Sequence, residues 1–439
     1  MKKSIKIAVS LLLCVMVVSC ASVDHYDAID ESIADGDYSG AYASVQEAED
    51  SAYRDIDAVL FNLDAGMLAH YARDYKGSTK YLTEAEQGIE AAFTKSVTLE
   101  VSSYLVNDNT KEYPGDDCED IYLNVFKALN YYHVDLVEDS LVEIRRIDNK
   151  LKFISTKYGT AITNAQKASL EKTSEIPYDP EAATVKFSNS ALARYLSMLM
   201  YRAEGKGDDA RIDRNQVKLA FASQPGVYAF PLPASLDQEL NVPRGKARLN
   251  VIGFYGPSPI KTENTTRIAV SDGNWVKIAL PAITQRPTAV ARAEVVLDSG
   301  ESFKLDLIED LGAVSAETFK QKAAFIYFKT IVRSIAKTTS SMLLDAGADN
   351  ASDSNAGLLL SVLSLGAQAY AEVSEQADLR VSRYFPSKAA VGGLTLDPGT
   401  YSFTVKFYNA SNGLVHEERF QDVKVAPGGL NLTEAVCIK

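Results

Sequence analysis

The segment PGVYAFPLPASLDQELNVP, residues 225–243, marks the point where the character of the chain changes. Its four prolines exclude a continuous helix or a central strand, because proline lacks a backbone donor and restricts the residue before it. Before this segment the apolar residues recur at helical spacing, and after it short β-branched and aromatic runs alternate with turn residues. The sequence therefore predicts an α+β multidomain protein with a helical half and a β-rich half.

The N-terminal half has apolar residues spaced three and four apart, which predicts a series of helices. These helices are expected at residues 24–50, 52–71, 76–105, 118–133, 137–170 and 182–222. Four breaks within or between these segments have similar composition, namely DGDYSGA at 35–41, ARDYKGS at 72–78, DLVEDS at 135–140 and EGKGDDA at 204–210. Similar breaks at intervals predict repeated helical hairpins.

The C-terminal half reads as two sets of strands around a helical segment. The first set is expected at 247–255, 266–271, 275–280, 288–297 and 301–306, and the second at 389–394, 399–408, 414–425 and 430–436. Hairpin turns are expected at 272–274, 298–300 and 411–413. Helices are expected at 316–345 and 356–377, with a polar loop between them. The second helix contains an apolar run too short for a comfortable membrane span, so we expect it to be buried.

These patterns define the expected domains. A helical-repeat domain covers residues 20–223, a Pro-rich linker covers 224–243, and a β-sandwich covers 244–439 with a helical insertion at about 315–377. One sandwich is expected to use both sets of strands, because the final segment alone has too few strands to bury two faces. The linker is expected to be accessible to proteases, and the helical fragment to fold alone.

Residues 1–19 have the features of a secretory signal peptide. Three lysines precede an apolar run that is too short to span a bilayer. The run ends in Val17-Val18-Ser19-Cys20, which resembles the lipobox of bacterial lipoproteins. The resemblance implies that Cys20 is acylated, with palmitate among its chains, and becomes the mature N-terminus. It further implies attachment to the outer membrane facing the periplasm, since Ala21 follows the cysteine. The alternative is an ordinary signal peptide with an incidental cysteine.

Composition limits the classes of partner. The chain has 45 basic and 58 acidic side chains and a formal charge of −13, which disfavours nucleic acid as a partner. An acidic body is repelled by anionic headgroups, so it should extend from its anchor into the aqueous phase. Four histidines and four cysteines provide little for a metal centre, and no cofactor is predicted. Cys118 and Cys437 remain after lipidation, and both a disulfide and two free thiols stay open.

No motif predicts catalysis. His416-Glu417-Glu418 lacks the second histidine of a zinc protease. The Ser334 to Lys337 spacing occurs in penicillin-recognising enzymes, but their accompanying elements are missing. The acidic residues 116–120 are interpreted as the start of a helix, where acids complement the dipole. A candidate polar cluster flanks the inserted helices and consists of Arg333, Lys337, Asp378 and Arg380. The alternative is ordinary pairing of buried Arg and Asp side chains.

Several segments resemble known families. Residues 128–133 followed by 140–146 resemble a tetratricopeptide repeat, although the irregular spacing makes the region tetratricopeptide-like at most, and a generic helical bundle is the alternative. Pro398-Gly399-Thr400-Tyr401 resembles the turn of PEGA-type modules. With the lipobox, residues 113–117 and residues 377–380, the chain is similar to a family of uncharacterised bacterial lipoproteins. Some members are encoded near lipoproteins that activate penicillin-binding proteins, which implies a role in the cell envelope.

The leading hypothesis from the sequence is a non-catalytic, lipid-anchored scaffold or adaptor. Its helical repeats would bind an envelope protein, and its β-rich half a second partner or peptidoglycan. One alternative is a cell-wall or polysaccharide hydrolase that uses carboxylates between the two halves. The other is a lipoprotein that binds a glycan or another solute.

Overall fold

The computed structural model of the chain describes residues 24–98, 107–154, 156–158, 184–271, 274–349 and 376–439. The N-terminal half of this part is helical, as the apolar spacing predicted. Its α-helices are α1 (Asp24–Asp35), α2 (Tyr38–Glu47), α3 (Glu49–Ala52), α4 (Ala58–Tyr71), α5 (Tyr75–Thr98), α6 (Asp117–His133), α7 (Val137–Ile154), α8 (Ala191–Ala203) and α9 (Gly207–Ser223).

The four sequence breaks form four turns of the same geometry, between α1 and α2, α4 and α5, α6 and α7, and α8 and α9. Each turn contains one residue with positive φ: Gly36, Arg73, Asp135 and Gly205. In each, the amide of that residue bonds the carbonyl three residues earlier, and the next amide bonds the carbonyl five residues earlier. This is the Schellman arrangement, which satisfies carbonyls at a helix end. The predicted helical hairpins are therefore confirmed at these four positions.

The C-terminal half contains nine strands among the described residues. They are β1 (Ala247–Pro257), β2 (Ile260–Ser271), β3 (Asn274–Thr284), β4 (Arg292–Leu297), β5 (Ser302–Asp310), β6 (Pro386–Leu396), β7 (Gly399–Tyr408), β8 (Leu414–Val425) and β9 (Leu432–Cys437). The predicted turns at 298–300 and 411–413 join β4 to β5 and β7 to β8. The turn predicted at 272–274 lies largely outside the described residues.

Seven strands form one sheet in the order β8-β7-β4-β5-β6-β1-β9, and β2 and β3 form a separate hairpin. Within the seven-stranded sheet β1 pairs with β9 in parallel. All other pairs of neighbouring strands in this sheet are antiparallel. Strands of both predicted sets thus enter one sheet, but those predicted at 266–271 and 275–280 form the separate hairpin, and the predicted two-sheet sandwich is wrong. The sheet curls until its edges approach, and the Val436 amide on β9 donates to Glu418 Oε2 on β8 over 3.1 Å.

Two hydrophobic clusters explain why no second sheet is needed. On β1, Ile252 and Phe254 belong to a cluster shared with the helices, whereas Val251 and Tyr255 belong to a cluster inside the curled sheet. Alternate residues of a strand point to opposite faces, so β1 is buried on both sides. The helices cover one face of the sheet, and its curvature lets the other face pack upon itself. The helical half and the sheet consequently share one core.

The Pro-rich segment interrupts helix and strand, as predicted, but it is not an exposed linker. Residues Leu236–Leu240 form a 3₁₀ turn in which Glu239 is fully buried. Glu239 accepts two bonds of 2.9 Å from Arg248 and one of 2.6 Å from Asn250. Tyr228 is buried and donates to Glu309 over 3.0 Å. Prolines remove backbone donors without preventing neighbouring side chains from packing, so the segment is fixed against β1 and β5.

The predicted inserted helix is present as α10 (Leu311–Asp349), which follows β5 and packs against β3 of the hairpin. It is longer than the predicted 316–345. The helix predicted at 356–377 falls almost entirely outside the described residues. A search of the part of the chain that the structure describes finds no helix with the length and apolarity needed to cross a membrane.

Candidate functional site

A cavity of about 460 Å³ lies where the end of α5, the chain before α6, the β2–β3 hairpin and α10 meet. Its apolar lining includes the aromatic side chains Phe93, Tyr113, Tyr158 and Phe325. Among the described residues, seven cationic and three acidic side chains also line it: Lys95, Lys111, Lys157, Lys261, Lys322, Lys329 and Arg333, with Asp108, Glu112 and Asp378. The cationic excess contrasts with the acidic composition of the whole chain.

Helix α10 contributes one wall. Lys322, Ile326, Lys329 and Arg333 follow one another at intervals of four, three and four residues, which places them on one face of a helix. The start of the helix is fixed, because the Ala313 amide donates to Asp310 Oδ1, at the end of β5, over 2.9 Å. Arg333 is only 2% exposed, so the wall extends from solvent-accessible residues into the interior.

The opposite walls come from the helical half and the hairpin. Tyr113 is fixed at both ends, since its amide donates to the Ile56 carbonyl over 2.7 Å and its hydroxyl donates to Glu119 Oε2 over 2.8 Å. Ala279 on β3 and Lys261 on β2 provide the hairpin side. Lys95 and Glu112 form an exposed ion pair of 2.6 Å, which places them at the mouth of the cavity.

Lys261 and Lys322 form one group of cations, which links the walls of the cavity through Asp116. Asp116 lies 2.7 Å from Lys261 and 2.5 Å from Lys322. Burial opposes ionisation of Asp116, but the two ammonium groups outweigh it and hold its pKa at about 2. Lys261 also bonds the Arg380 carbonyl and Lys322 the Gly115 carbonyl. These two lysines therefore tie the hairpin and α10 to the start of α6.

A second group of cations surrounds the carboxylate of Asp108. Lys329 lies 2.8 Å from Asp108, Lys111 lies 3.7 Å from it, and Arg333 acts on it at longer range. Burial opposes ionisation of Asp108, yet the three cations lower its pKa to about 2. The pKa of Lys111 is itself lowered, first by burial and further by repulsion from Lys329 and Arg333, against the attraction of Asp108. Among the described residues, Lys329, Lys111 and Arg333 all favour the ionised form of Asp108.

The structure brings three of the four candidate polar residues to this cavity. Arg333 and Asp378 line it, and Arg380 fixes Asp378 from behind through an ion pair of 2.7 Å. Arg380 also pairs with Asp57 at 2.8 Å and donates to main-chain carbonyls. The Arg–Asp pairing expected as the ordinary alternative is therefore present. Lys337 lies one turn beyond Arg333 on α10, but its side chain is outside the described residues, as is Cys20.

Other features noted in the sequence have structural explanations. Asp116 and Glu119 form a capping box at the start of α6, as the helix-start interpretation predicted. His416 lies on β8, also as predicted, where its ring stacks near Phe407. Cys118 and Cys437 are both free thiols, which resolves the alternative left open by the sequence.

Three buried carboxyl groups join the helical half to the β-rich half, and of these only Glu119 belongs to a group noted in the sequence. Glu309 on β5 accepts from the hydroxyls of Tyr122, Ser190 and Tyr228 and from the Leu192 amide. Burial raises its pKa to about 7. Burial also raises the pKa of Asp64 to about 7. The pKa of Glu119 is raised to about 7 by burial and by repulsion from the Asp116 carboxylate. None of the three lines the cavity, and their hydrogen bonds serve the packing of the two halves.

Sequence reasoning also missed the lysines of the cavity and the buried pair between Glu434 and His70. For Lys322 and Lys329 a signal existed, because they share the helical face of Arg333. For Glu434 there was none, since His70 is 364 residues away. In the described ranges no three or more His, Cys, Asp or Glu side chains form a group that could hold a metal ion.

Comparison with known proteins gives no further assignment: no protein-family model matches the chain, and neither a curated protein nor a solved structure is significantly similar to it.

Proposed function

We propose that the protein is a cell-envelope lipoprotein that binds a small ligand in the cavity beside α10 without transforming it. The observation that carries this proposal is the cavity itself, with a volume of about 460 Å³ and a lining that combines aromatic and charged side chains. Small-molecule sites commonly have volumes of about 300–1,000 Å³ and an apolar lining with a few polar groups. From the sequence we retain acylation at Cys20 and a periplasmic position on the outer membrane as parts of the proposal.

The absence of a catalytic role is proposed from the state of the lining carboxylates. Hydrolysis of a polysaccharide needs one carboxyl group that is held protonated and a second that is ionised. Here Asp108 is held ionised by Lys329, Asp378 is paired with Arg380, and Glu112 is paired with Lys95 at the surface. These acids neutralise cations, so we favour binding over the hydrolase alternative.

The scaffold hypothesis is retained as a second candidate with a different surface. One face of the helices is covered by the protein's own sheet, through residues such as Phe254 and Phe385. On α9, however, Ile212 and Leu219 are 57% and 52% exposed and lie seven residues apart on one face. An envelope protein would bind there rather than on the covered face. The tetratricopeptide-like assignment and a peptidoglycan contact also stay proposals, the former supported by the four equivalent turns.

Recovery of a bound molecule tests the proposal. Full-length protein, purified from membranes in mild detergent, is analysed by native mass spectrometry, and extracted small molecules are identified by liquid chromatography and mass spectrometry. Ile326→Trp is the blocking variant because Ile326 lines the cavity. Ala324→Trp is the matched control, since it adds the same indole on α10 outside the described lining.

We expect a ligand that is retained by the wild type and by Ala324→Trp and lost from Ile326→Trp. A wild-type protein that carries no small molecule and shows no thermal shift with envelope metabolites would contradict the proposal. Reproducible capture of one envelope protein, abolished by Ile212→Asp, would instead support the scaffold. Turnover of sacculi that is lost on Asp378→Asn would support the hydrolase.

A further inference from the structure

We propose that residues 430–438 are exchanged between two copies of the chain, so that this segment of each copy binds the helical hairpins and completes the sheet of the other. We call residues 430–438, which contain β9, the exchange segment. The proposed contact is separate from ligand binding, because no residue of the segment belongs to the described lining of the cavity beside α10.

The side chains of the exchange segment face the helices at every second residue. Its apolar residues at even positions belong to the cluster shared with the helices: Leu430, Leu432, Val436 and Ile438. Ala435 and Cys437 belong to the cluster inside the curled sheet. Alternate residues of an extended chain point to opposite sides, so one side of the segment lies on the helical half. The remaining even residue is Glu434, which His70 and His133 bind.

The helices also bind the main chain of the exchange segment. The Tyr132 hydroxyl on α6 donates to the Leu432 carbonyl and accepts from the Leu432 amide, both over 3.0 Å. The Tyr38 hydroxyl on α2 donates to the Val436 carbonyl over 3.2 Å. These bonds require an extended main chain. The helical half therefore has a surface that recognises an extended segment by its backbone, its apolar side chains and one carboxylate.

Within the sheet the exchange segment is held along one edge. Among the described strands, β9 has one main-chain neighbour, which is β1. At its other edge the Val436 amide bonds the side chain of Glu418 on β8. An identical segment from a second copy would form every one of these contacts. Monomer and exchanged dimer consequently differ in the residues that connect β8 to the segment, and their ratio depends on protein concentration.

The connection is short and sharply bent. Residues 426–429 lie between β8 and the exchange segment. Gly428 and Asn431 have positive φ values of 68° and 45°. The Asn431 side chain closes the bend, because it accepts from the Ala426 amide over 3.0 Å and donates to the Ala426 carbonyl over 2.9 Å. A left-handed conformation strains a residue other than glycine, and short strained connections favour exchange, since opening them releases the strain.

The length of the connection tests the proposal. Full-length protein in mild detergent is separated by size-exclusion chromatography with light scattering over a range of concentrations. We expect a monomer and a dimer that interconvert slowly, because exchange requires β9 to detach from β1. Deleting Gly428 and Gly429 should leave mainly dimer, since the segment no longer turns back onto its own chain. Inserting Gly-Ser-Gly-Gly-Ser between them should remove most of the dimer.

The matched control places the same five residues in a turn outside the connection. Insertion between Asn412 and Gly413, in the turn that joins β7 to β8, should leave the proportion of dimer unchanged. Thermal unfolding verifies that each variant is folded. If the shortened variant does not fold, the lengthened variant and the crosslinking of the wild-type sequence at Tyr132 decide the outcome.

Crosslinking identifies the surface that joins the two copies. Tyr132→p-azidophenylalanine places a photoreactive group against Leu432. Irradiation of the isolated dimer should join two chains covalently, and mass spectrometry should locate the link in residues 430–438. In the monomer the same link stays within one chain. Tyr81→p-azidophenylalanine is the matched control, because Tyr81 contacts Phe61 and Tyr42 of its own helical half and should not join two chains.

Three results would overturn the proposal. The first is a wild type that remains monomeric at every concentration. The second is a dimer in which the link from position 132 stays within one chain, since that dimer uses another surface. The third is a dimer whose proportion does not respond to the lengthened connection. Ligand binding in the cavity would stand in each case, because its residues are different.

Discussion

Glu434 Oε1 on the last strand lies 2.5 Å from His133 Nε2 at the end of α6. The other oxygen of Glu434 lies 3.1 Å from His70 Nε2 on α4. Burial opposes ionisation of this carboxyl, but the two imidazoles lower its pKa to about 2. A carboxylate whose side chain is only 6% exposed is thus held by two helices of the other half. It fixes β9 and, through β9, the edge of the sheet.

Replacing Glu434 should therefore destabilise the whole protein. We expect Glu434→Ala to lower the free energy of unfolding by about 3 kcal/mol, because removing one member of a buried pair leaves its partners without compensation. Glu417→Ala, at a half-exposed side chain on neighbouring β8, is the matched control and should change little. Urea unfolding followed by circular dichroism provides the measurement. If the two substitutions lowered the free energy of unfolding equally, the buried contacts of Glu434 would contribute no more to stability than an exposed side chain does.

Stability should also depend on pH in a defined direction. The pKa values of Glu309 and Asp64 are raised to about 7 by burial, so the folded state binds protons more tightly than the unfolded state. Stability from these groups is complete below about pH 4 and declines as pH rises towards 7. Glu434 and Glu86, with pKa values lowered to about 2, act oppositely and lose their contribution as pH falls from about 4 to 2. We expect a melting temperature that is higher at pH 5 than at pH 8.

A variant of Glu309 tests the cause of this dependence. Glu309→Gln mimics the neutral carboxyl and should reduce the fall in melting temperature between pH 5 and pH 8. Glu301→Gln, at an exposed position before β5, should leave the slope unchanged. A wild-type melting temperature that rises over this range would contradict the assignment of these carboxyl groups.

Membrane attachment should depend on Cys20. Cys20→Ser should move the protein from the membrane fraction to the soluble fraction, because acylation is the anchor that the lipobox resemblance implies. Cys14→Ser is the control, since Cys14 belongs to the segment that we expect to be removed. Fractionation with metabolic labelling by a palmitate analogue measures both effects. Salt-resistant association of Cys20→Ser with membranes would refute the lipid anchor.

The helical half should need the sheet in order to fold. Phe254 on β1 packs against Phe126 of α6 with ring centroids 5.1 Å apart, and both are fully buried. A fragment of residues 20–223 would expose that surface, so we expect it to bind hydrophobic dyes and to be degraded rapidly by proteases. Co-expression with residues 224–439 should restore resistance. This reverses the expectation of an independent helical fragment, and a protease-resistant fragment alone would restore it.

Local signals predicted local structure well. Arg73 and Asp135 occupy turns that their surrounding sequence identified, and α10 follows from apolar spacing. Pairing of β1 with β9 has no local signal, because those strands are nearly 180 residues apart and their register depends on the assembled core. The prediction of a sandwich failed for the same reason: strand patterns report buried faces but not what covers them.

The candidate site was predicted only in part. The position of Arg333, Asp378 and Arg380 beside the inserted helices predicts a polar cluster. In the structure Arg333 and Asp378 line the cavity, and Arg380 pairs with Asp378. Lys329 could have been selected from its spacing to Arg333. Lys111 and Asp108 could not, since they lie about 200 residues before α10 and approach it only in the folded structure.

The parallel pairing of β1 with β9 sets the order in which the chain can mature. Synthesis delivers the helices first, while Phe126 and its neighbours still lack the strands that cover them. Strand β9 emerges more than 170 residues after β1, so β1 must wait for it with one edge open. Contacts between such distant segments form slowly, because closing a long loop is entropically costly. A newly made chain therefore passes through a period of exposed apolar surface, during which a holding chaperone would protect it from aggregation.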